Sequence, residues 1–391
     1  MEYRKNAVFA AACMGMLLFG ISLLAMGSLL PSITERFQLG GVASGALVSI
    51  LPFGLLAGSM IFGPTVDRFG YQRVLIVSAL LVIVGLEALA FAPSVGVLRL
   101  AILAIGFGGG VINGGTNALV ADISAGERGA KLSLLGVFFG LGALGMPLLL
   151  GALDGVAGST ILGAIGAALL LPVLYFAVIA FPAPKQAQGF PLAEGLGLLR
   201  DSALLGIALT LALQSGIEGV ITNWSTTFLQ HARGIAPREA LLALSACVAG
   251  MTLARIVLTA LLKTIPGRRV LLGGIAISGA GMFVLAQAQG WSGAAAGLAL
   301  MGIGLAAAFP LLMGYVADLH PAIAGTALSV VLAIALLGNM AINYLVGVLS
   351  AWYGPQHLPQ WLGAGLVLQL GVVLFALRAY EARTQAPRAP A

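Results

Sequence analysis

Residues 63–73 read Gly63-Pro64-Thr65-Val66-Asp67-Arg68-Phe69-Gly70-Tyr71-Gln72-Arg73. Three charges and two glycines fall in this short stretch, and apolar runs flank it on both sides, over 42–64 and 73–92. Each flank has about the 20 residues that a helix needs to cross the hydrocarbon core of a bilayer. The stretch therefore reads as an aqueous turn joining two membrane spans.

The same reading extends along the chain. Breaks at Gly, Pro and charge clusters divide it into twelve apolar runs, over 7–31, 42–64, 73–92, 97–121, 131–152, 157–181, 203–229, 239–262, 269–288, 291–316, 323–349 and 357–380. The runs are continuous rather than alternating, which points to helices and against strands. Composition agrees. Of 391 residues 32 are charged, 19 Lys and Arg with 13 Asp and Glu, and 60% are apolar. A charged share of 8% stands against about 25% in soluble domains. So few charges cannot cover a soluble surface, which excludes a cytosolic enzyme, a disordered chain and a nucleic-acid binder. Cys13 and Cys247 lie in apolar runs and show neither a disulfide framework nor metal-ligand spacing. No cofactor is expected. Gly-rich runs such as Gly108-Gly109-Gly110 lie inside spans and lack the strand and the Lys-Ser/Thr of a phosphate loop.

The net charge of +6 is distributed as a topology signal. With the N-terminus inside, 14 of the 19 basic residues fall in loops on that side, and Arg36, Arg99, Arg233 and Arg238 fall on the other. The positive-inside rule then makes both termini cytoplasmic, and the expected location is a bacterial inner membrane. The first apolar run is too long for a cleavable signal peptide.

The chain also repeats. A shift of 196 residues lays Ala121-Asp122 on Ala317-Asp318, Leu132-Ser133 on Leu328-Ser329 and Arg73-Val74-Leu75 on Arg269-Val270-Leu271. Six spans separate equivalent points, so the halves share one orientation, and such repeats place a substrate site at their interface near the midplane. The expected organisation is a bundle over 1–181, a polar linker over 182–202 and a second bundle over 203–391.

The quoted stretch resembles the G-x-x-x-D-R-x-G-[RK]-x-[RK] loop of the major facilitator superfamily. It lies in the right place, after the second of twelve spans. The resemblance implies an all-α membrane protein with twelve transmembrane helices in two six-helix pseudo-symmetric bundles, working as a transporter and not as an enzyme. It also implies that Asp67, Arg68 and Arg73 latch one access state at the cytoplasmic helix ends. The second-half copy, Lys263-Thr264-Ile265-Pro266-Gly267-Arg268-Arg269, lacks the Asp. Leu132-Ser133-Leu134-Leu135-Gly136-Val137-Phe138-Phe139-Gly140 is similar to a run of the fucose–proton symporter branch, as are Gly216–Trp224 and Gly302–Pro310. That similarity implies a sugar carrier. The branch's carboxylates of spans 1 and 4 fall here on Gly27 and Asn113, and a polar residue of span 5 falls on Gly136.

Charges inside spans cost about 2.5–3.5 kcal/mol each and usually mark function. Glu218 stands mid-span, with Gln214 and Thr222 four residues away on one helical face and Asn223 and Trp224 following. Amides, a carboxyl and an indole suit a polyhydroxylated ligand. The pairs Asn113/Asn117 and Asn339/Asn343 each share a face, as substrate contacts or as interhelical bonds. Phe309, Phe138 and Phe139 are cavity walls or plain packing. Glu87 lies in a peripheral span. Arg255 snorkels, pairs with a carboxylate or binds an anion.

The expected function is secondary transport of a small neutral polar solute, a sugar or polyol, by alternating access, with proton coupling through Glu218. The alternatives are passive facilitation and export of amphipathic drugs or lipids. Expected partners are the solute, protons and membrane lipids, with no nucleic acid, and the chain is expected to act as a monomer.

Overall fold

The computed structural model of the chain describes residues 3–124, 128–153, 155–183, 197–198, 200–320 and 323–385. Lipid offers the backbone no hydrogen-bond partner, so each apolar run must close its bonds internally as a helix. Among the described residues, 11 helices are long and apolar enough to cross a membrane. The longest, Gly41–Phe91, has 51 residues, about 76 Å at the α-helical rise and far more than one bilayer core. It divides at Gly70, whose φ of 78° and ψ of 161° belong to a region open essentially to Gly alone. The quoted turn is thus a break inside one long helix, and the spans number twelve.

We label them α1 (Lys5–Phe37), α2 (41–69), α3 (71–91), α4 (Val95–Ile123), α5 (Arg128–Ala152), α6 (Gly158–Val178), α7 (Ser202–Ala232), α8 (Pro237–Leu261), α9 (Gly267–Gln287), α10 (Trp291–Leu319), α11 (Ala324–Tyr353) and α12 (Leu358–Gln385). Two spans that read as continuous are broken. α6 is interrupted at Leu169 and α10 at Ala306–Ala307. In each, a proline three or four residues on, Pro172 or Pro310, lacks an N–H and crowds the carbonyl four residues back. α1 runs past the expected end through Thr34–Phe37 and stops at Gln38, whose φ of 51° is left-handed. The expected linker over 182–202 lies mostly outside the described residues.

The sequence repeat is a structural one. In the first half α1 packs on α5, and α4 on α2 and α3; in the second, α7 packs on α11, and α10 on α8 and α9. These pairs differ by six helices. The halves meet through α2 against α11, α5 against α8 and α1 against α7. Gly45 and Gly347 let α2 and α11 touch backbone to backbone: a Cβ on Gly45 would stand 2.8 Å from Gly347 Cα. Ser49 Oγ donates to Met340 O at 2.9 Å and Thr226 Oγ1 to Gly27 O at 2.8 Å. These contacts lie toward the end that carries the loops 38–40, 155–157 and 233–236. Among the described residues α4 and α10, the inner helices of each half, are not closely packed across the divide. The space between the halves therefore opens toward the other end, where Tyr71, Asp122 and Leu261 lie.

Candidate functional site

On the second-half side of this space, α7 presents Glu218 and α8 presents Arg255. Arg255 Nη2 stands 4.0 Å from Glu218 Oε1, and the two side chains are 33% and 30% exposed. Arg255 lies opposite the lipid-facing stripe of its own helix, Leu253, Ile256 and Val257, all more than half exposed. On the Arg255 side, Val248 and Met251 are buried. A lipid-facing or snorkelling arginine would sit on the other side, so pairing with a carboxylate is the arrangement observed. Facing α8 from the first half is α5. There Gly140 meets Thr252, with its Cβ position 2.7 Å from Thr252 Oγ1, and Gly136, one turn nearer the open end, has nothing within 4 Å.

On the first-half side, α4 presents Asn113 and Asn117. The neighbouring Thr116 abuts Gly15 of α1, while Gly114 abuts Phe62 of α2. The two amides emerge between these faces and are half-buried. Asn117 Nδ2 donates to Asn113 O at 2.8 Å and to Asn113 Oδ1 at 3.1 Å. Neither makes a side-chain bond to another helix among the described residues.

The remaining polar residues around Glu218 are turned elsewhere. Gln214 is 1% exposed; its Nε2 donates to Leu305 O at 2.9 Å, at the break in α10, and its Oε1 accepts from Gln369 Nε2 of α12 at 2.6 Å. The carbonyls around a break lose helical partners, and Gln214 meets one of them. Asn223 Nδ2 donates to Asn343 Oδ1 at 3.4 Å, Asn343 Nδ2 to Asn339 Oδ1 at 3.0 Å, and Asn339 Nδ2 to Ser215 O at 2.7 Å. This chain of amides ties α7 to α11. Trp224 is 3% exposed and packs with Phe228, Val346 and Trp361 toward the closed end. Six residues on a helix is 240° of rotation, so Glu218 and Trp224 face different ways. Phe309 on α10 is 36% exposed. The helix thus brings Glu218 together with Arg255, and not with Gln214 or Trp224. Gly27, the position of the family carboxylate in span 1, has its Cβ site filled by the Thr222 carbonyl of α7; no side chain fits there in this arrangement.

The open end carries its own polar set. Asp67, Arg68 and Arg73 are exposed, with Arg68 over the Phe69 ring at 5.3 Å. Tyr71 Oη donates to Asp122 Oδ2 of α4 at 2.8 Å, and Gln72 Nε2 donates to Phe176 O at the end of α6 at 2.9 Å. In the second half, Tyr380 Oη donates to Asp318 Oδ2 at 3.4 Å and Arg268 pairs with Glu381 at 2.9 Å. Asp201 caps α7 by accepting from Ala203 N at 3.0 Å, bonds His320 Nε2 at 2.8 Å and pairs with Arg383. Burial opposes its charge, but the bonds from His320 and the Ala203 amide and the Arg383 guanidinium outweigh that. Its carboxyl is held below the usual range. In sequence Asp122 and Asp318 stand out only as a repeat coincidence; the tyrosines that bond them, Tyr71 on α3 and Tyr380 on α12, are not repeat equivalents. Glu87 lies against Gly163 and Gly166 of α6, with Oε2 3.6 Å from the Cβ position of Gly163, on the outer side of the first half.

Comparison with known proteins agrees with this architecture. The family model described as Major Facilitator Superfamily matches residues 9–269 and 208–391. An uncharacterized transporter of Sinorhizobium fredii is 27% identical over 352 residues, covering 86% of this chain and 89% of that protein. The galactose–proton symporter of Escherichia coli is 30% identical over 138 residues, 35% of this chain and 30% of that one. The crystal structure of a D-xylose–proton symporter superposes with a TM-score of 0.77 at 17% identity, covering 94% of this chain and 97% of the other.

Proposed function

The chain belongs to the major facilitator superfamily, is a multi-pass membrane transporter and not an enzyme, and we propose that it carries a small polyhydroxylated solute, a sugar or polyol, by alternating access. One observation carries this reading: half-buried Asn113 and Asn117 on one side of the interior and the Glu218–Arg255 pair on the other, in surroundings that are otherwise apolar. Amides and charged groups that face a space, bonded only to one another and with donors and acceptors to spare, are what hydroxyls satisfy. The relatives named for galactose and the structural neighbour named for D-xylose support the same class. In this reading Gln214, Asn223, Asn339, Asn343 and Trp224 hold the second half together behind the site, and Phe309 forms part of the wall.

The halves over 1–181 and 203–391 rock about the site, with 182–202 joining them on the cytoplasmic side. Asp67, Arg68 and Arg73 act as a latch, and Glu218 is the proton-coupling group, since Gly27 and Asn113 replace the other candidate carboxylates. Both termini are cytoplasmic, in a bacterial inner membrane, and the monomer is the working unit. The test is uptake of labelled galactose and xylose into proteoliposomes with and without an imposed pH gradient. Gradient-driven accumulation in the wild type that is lost in Glu218→Gln, with counterflow exchange kept, is the expected result. No uptake of either sugar or of a neutral polyol sinks the reading.

A further inference from the structure

The ion pair between α7 and α8 is incomplete on both sides. At 4.0 Å the contact between Arg255 and Glu218 lies beyond hydrogen-bond length. A guanidinium carries five N–H donors in a planar fork, and among the described residues none of those of Arg255 makes a hydrogen bond. Glu218 is no better served. The Thr222 hydroxyl, one turn away, donates to the Glu218 backbone carbonyl at 2.9 Å rather than to the carboxylate. Charged groups left short of partners inside a membrane are costly.

Snorkelling is the cheap escape for an arginine near a helix end, and Arg255 does not take it. α8 ends six residues on, at Leu261, yet Arg255 stands opposite the exposed stripe of Leu253, Ile256 and Val257. It points instead to the interior. Across from it, α5 runs antiparallel to α8, with Gly140 on Thr252. One turn further toward the open end on each helix places Gly136 level with Arg255. Nothing stands within 4 Å of the Gly136 Cβ position, so at this level α5 contributes open space and no side chain of its own.

We propose that Arg255 is the docking point for a carboxylate of the transported solute, and that the substrate class is a polyhydroxylated monocarboxylate, an acidic sugar. This rests on the reading of the cavity as a polyol site and narrows it. The two oxygens of a carboxylate match the guanidinium fork. The hydroxyls then satisfy Glu218 on α7 and the Asn113 and Asn117 amides on α4. A single guanidinium beside a carboxylate has too little positive charge for a phosphate dianion, which favours the monoanion.

The test uses three probes with one six-carbon skeleton: D-gluconate, D-sorbitol and hexanoate. Binding is read from ligand-induced shifts in the melting temperature of the full chain in detergent, which grow with RT ln(1 + [L]/Kd). The wild type is expected to bind gluconate about tenfold or more tighter than sorbitol, the usual scale of a charge-assisted bidentate bond, and hexanoate more weakly than either. Arg255→Gln is expected to erase the preference for gluconate, with gluconate losing about tenfold or more and sorbitol only a few-fold. Glu218→Gln removes the competing carboxylate, so gluconate binding is expected to strengthen a few-fold as sorbitol weakens. Since Arg255→Gln leaves Glu218 unpaired and risks misfolding, the double Gln variant, which keeps the pair neutral, must also show no gluconate preference. Sorbitol binding with no gain for gluconate overturns this proposal and spares the polyol reading. A preference for gluconate that survives in both Arg255 variants overturns it too, and binding of neither probe overturns both.

Discussion

Asn117 Nδ2 on α4 donates to Asn113 O and Oδ1 at 2.8 and 3.1 Å, and Asn343 Nδ2 on α11 donates to Asn339 O and Oδ1 at 2.9 and 3.0 Å. The local device is the same. Its surroundings are not: the α4 pair stands half-buried at the interior space, whereas Asn343 is fully buried and the α11 pair reaches across to Asn223 and Ser215 of α7. The open ends of the two halves differ in the same sense. The first half presents Asp67, Arg68 and Arg73 to solvent, while the second ties Arg268 to Glu381 and Asp201 to His320 and Arg383. At this end the first half joins its helices through the uncharged donors Tyr71 and Gln72, and the second joins its own through charged pairs. The Glu218–Arg255 pair is the exception, a charged pair of the second half that faces the interior.

The largest effect is expected at the loop that has no acidic counterpart in the second half. Asp67→Asn gives that loop the character of 263–269. Proteoliposome transport should fall about tenfold or more, as when one of two access states loses a stabilising contact. Substrate affinity should stay within a few-fold. Unchanged transport would remove the latch from the comparison.

The asparagine pairs offer a more direct comparison. Asn343→Ala breaks bonds between helices and should lower thermal stability by about 1–2 kcal/mol, near the upper range for such bonds in membranes. Asn113→Ala should change stability by less than about 0.5 kcal/mol, yet weaken ligand binding by about 1–3 kcal/mol. Melting curves of both variants with and without ligand separate the outcomes, and an Asn113 variant as unstable as the Asn343 variant would erase the difference between the pairs.

Acid should discriminate the halves more gently. The Asp201 carboxyl is held low in the folded chain, so its contribution is present above the unfolded carboxylate value of about 3.9 and is lost as pH falls through the lower folded value. Asn caps a helix as well as Asp does, so Asp201→Asn isolates the charge. The variant should melt lower than wild type at pH 7, and the gap should narrow as pH falls below about 4 and close only once pH is below the lower folded value. A gap that does not narrow at all between pH 7 and the acid limit of the folded state would assign the loss to capping geometry.

Smallest of all is the Arg268–Glu381 pair. Both side chains are more than one-third exposed, and such pairs contribute about 0–1 kcal/mol. Arg268→Gln should lower the melting temperature slightly in dilute buffer and not at all in about 1 M salt, where the Debye length is about 3 Å.

Much of the molecule was legible in its residues. The twelve runs became twelve helices because lipid leaves an apolar segment no other way to satisfy its backbone. The 196-residue offset became a structural repeat because equivalent small residues permit equivalent close packing. Span ends moved by a few residues where a cap such as Gln38 or a proline such as Pro310 decided them. Side-chain partnership was less legible. Gln214, Glu218 and Thr222 share one face by helical arithmetic, yet Gln214 serves the break in α10, Thr222 bonds its own helix, and only Glu218 meets Arg255.

What the chain determined by itself is whatever depends on local composition and period: membrane spans, their number, their likeness between halves and the loop that marks the family. Only the tertiary arrangement decided which polar groups remain available. A hydrogen bond between helices depends on which face of which neighbour lies opposite, and neither Asn113 nor Asn343 carries that information in its own stretch of sequence. The same holds for Arg255, whose position near a helix end suits snorkelling, pairing or binding alike. Its placement opposite Leu253 and Val257, across from the space at Gly136, is a property of packed helices rather than of any one of them.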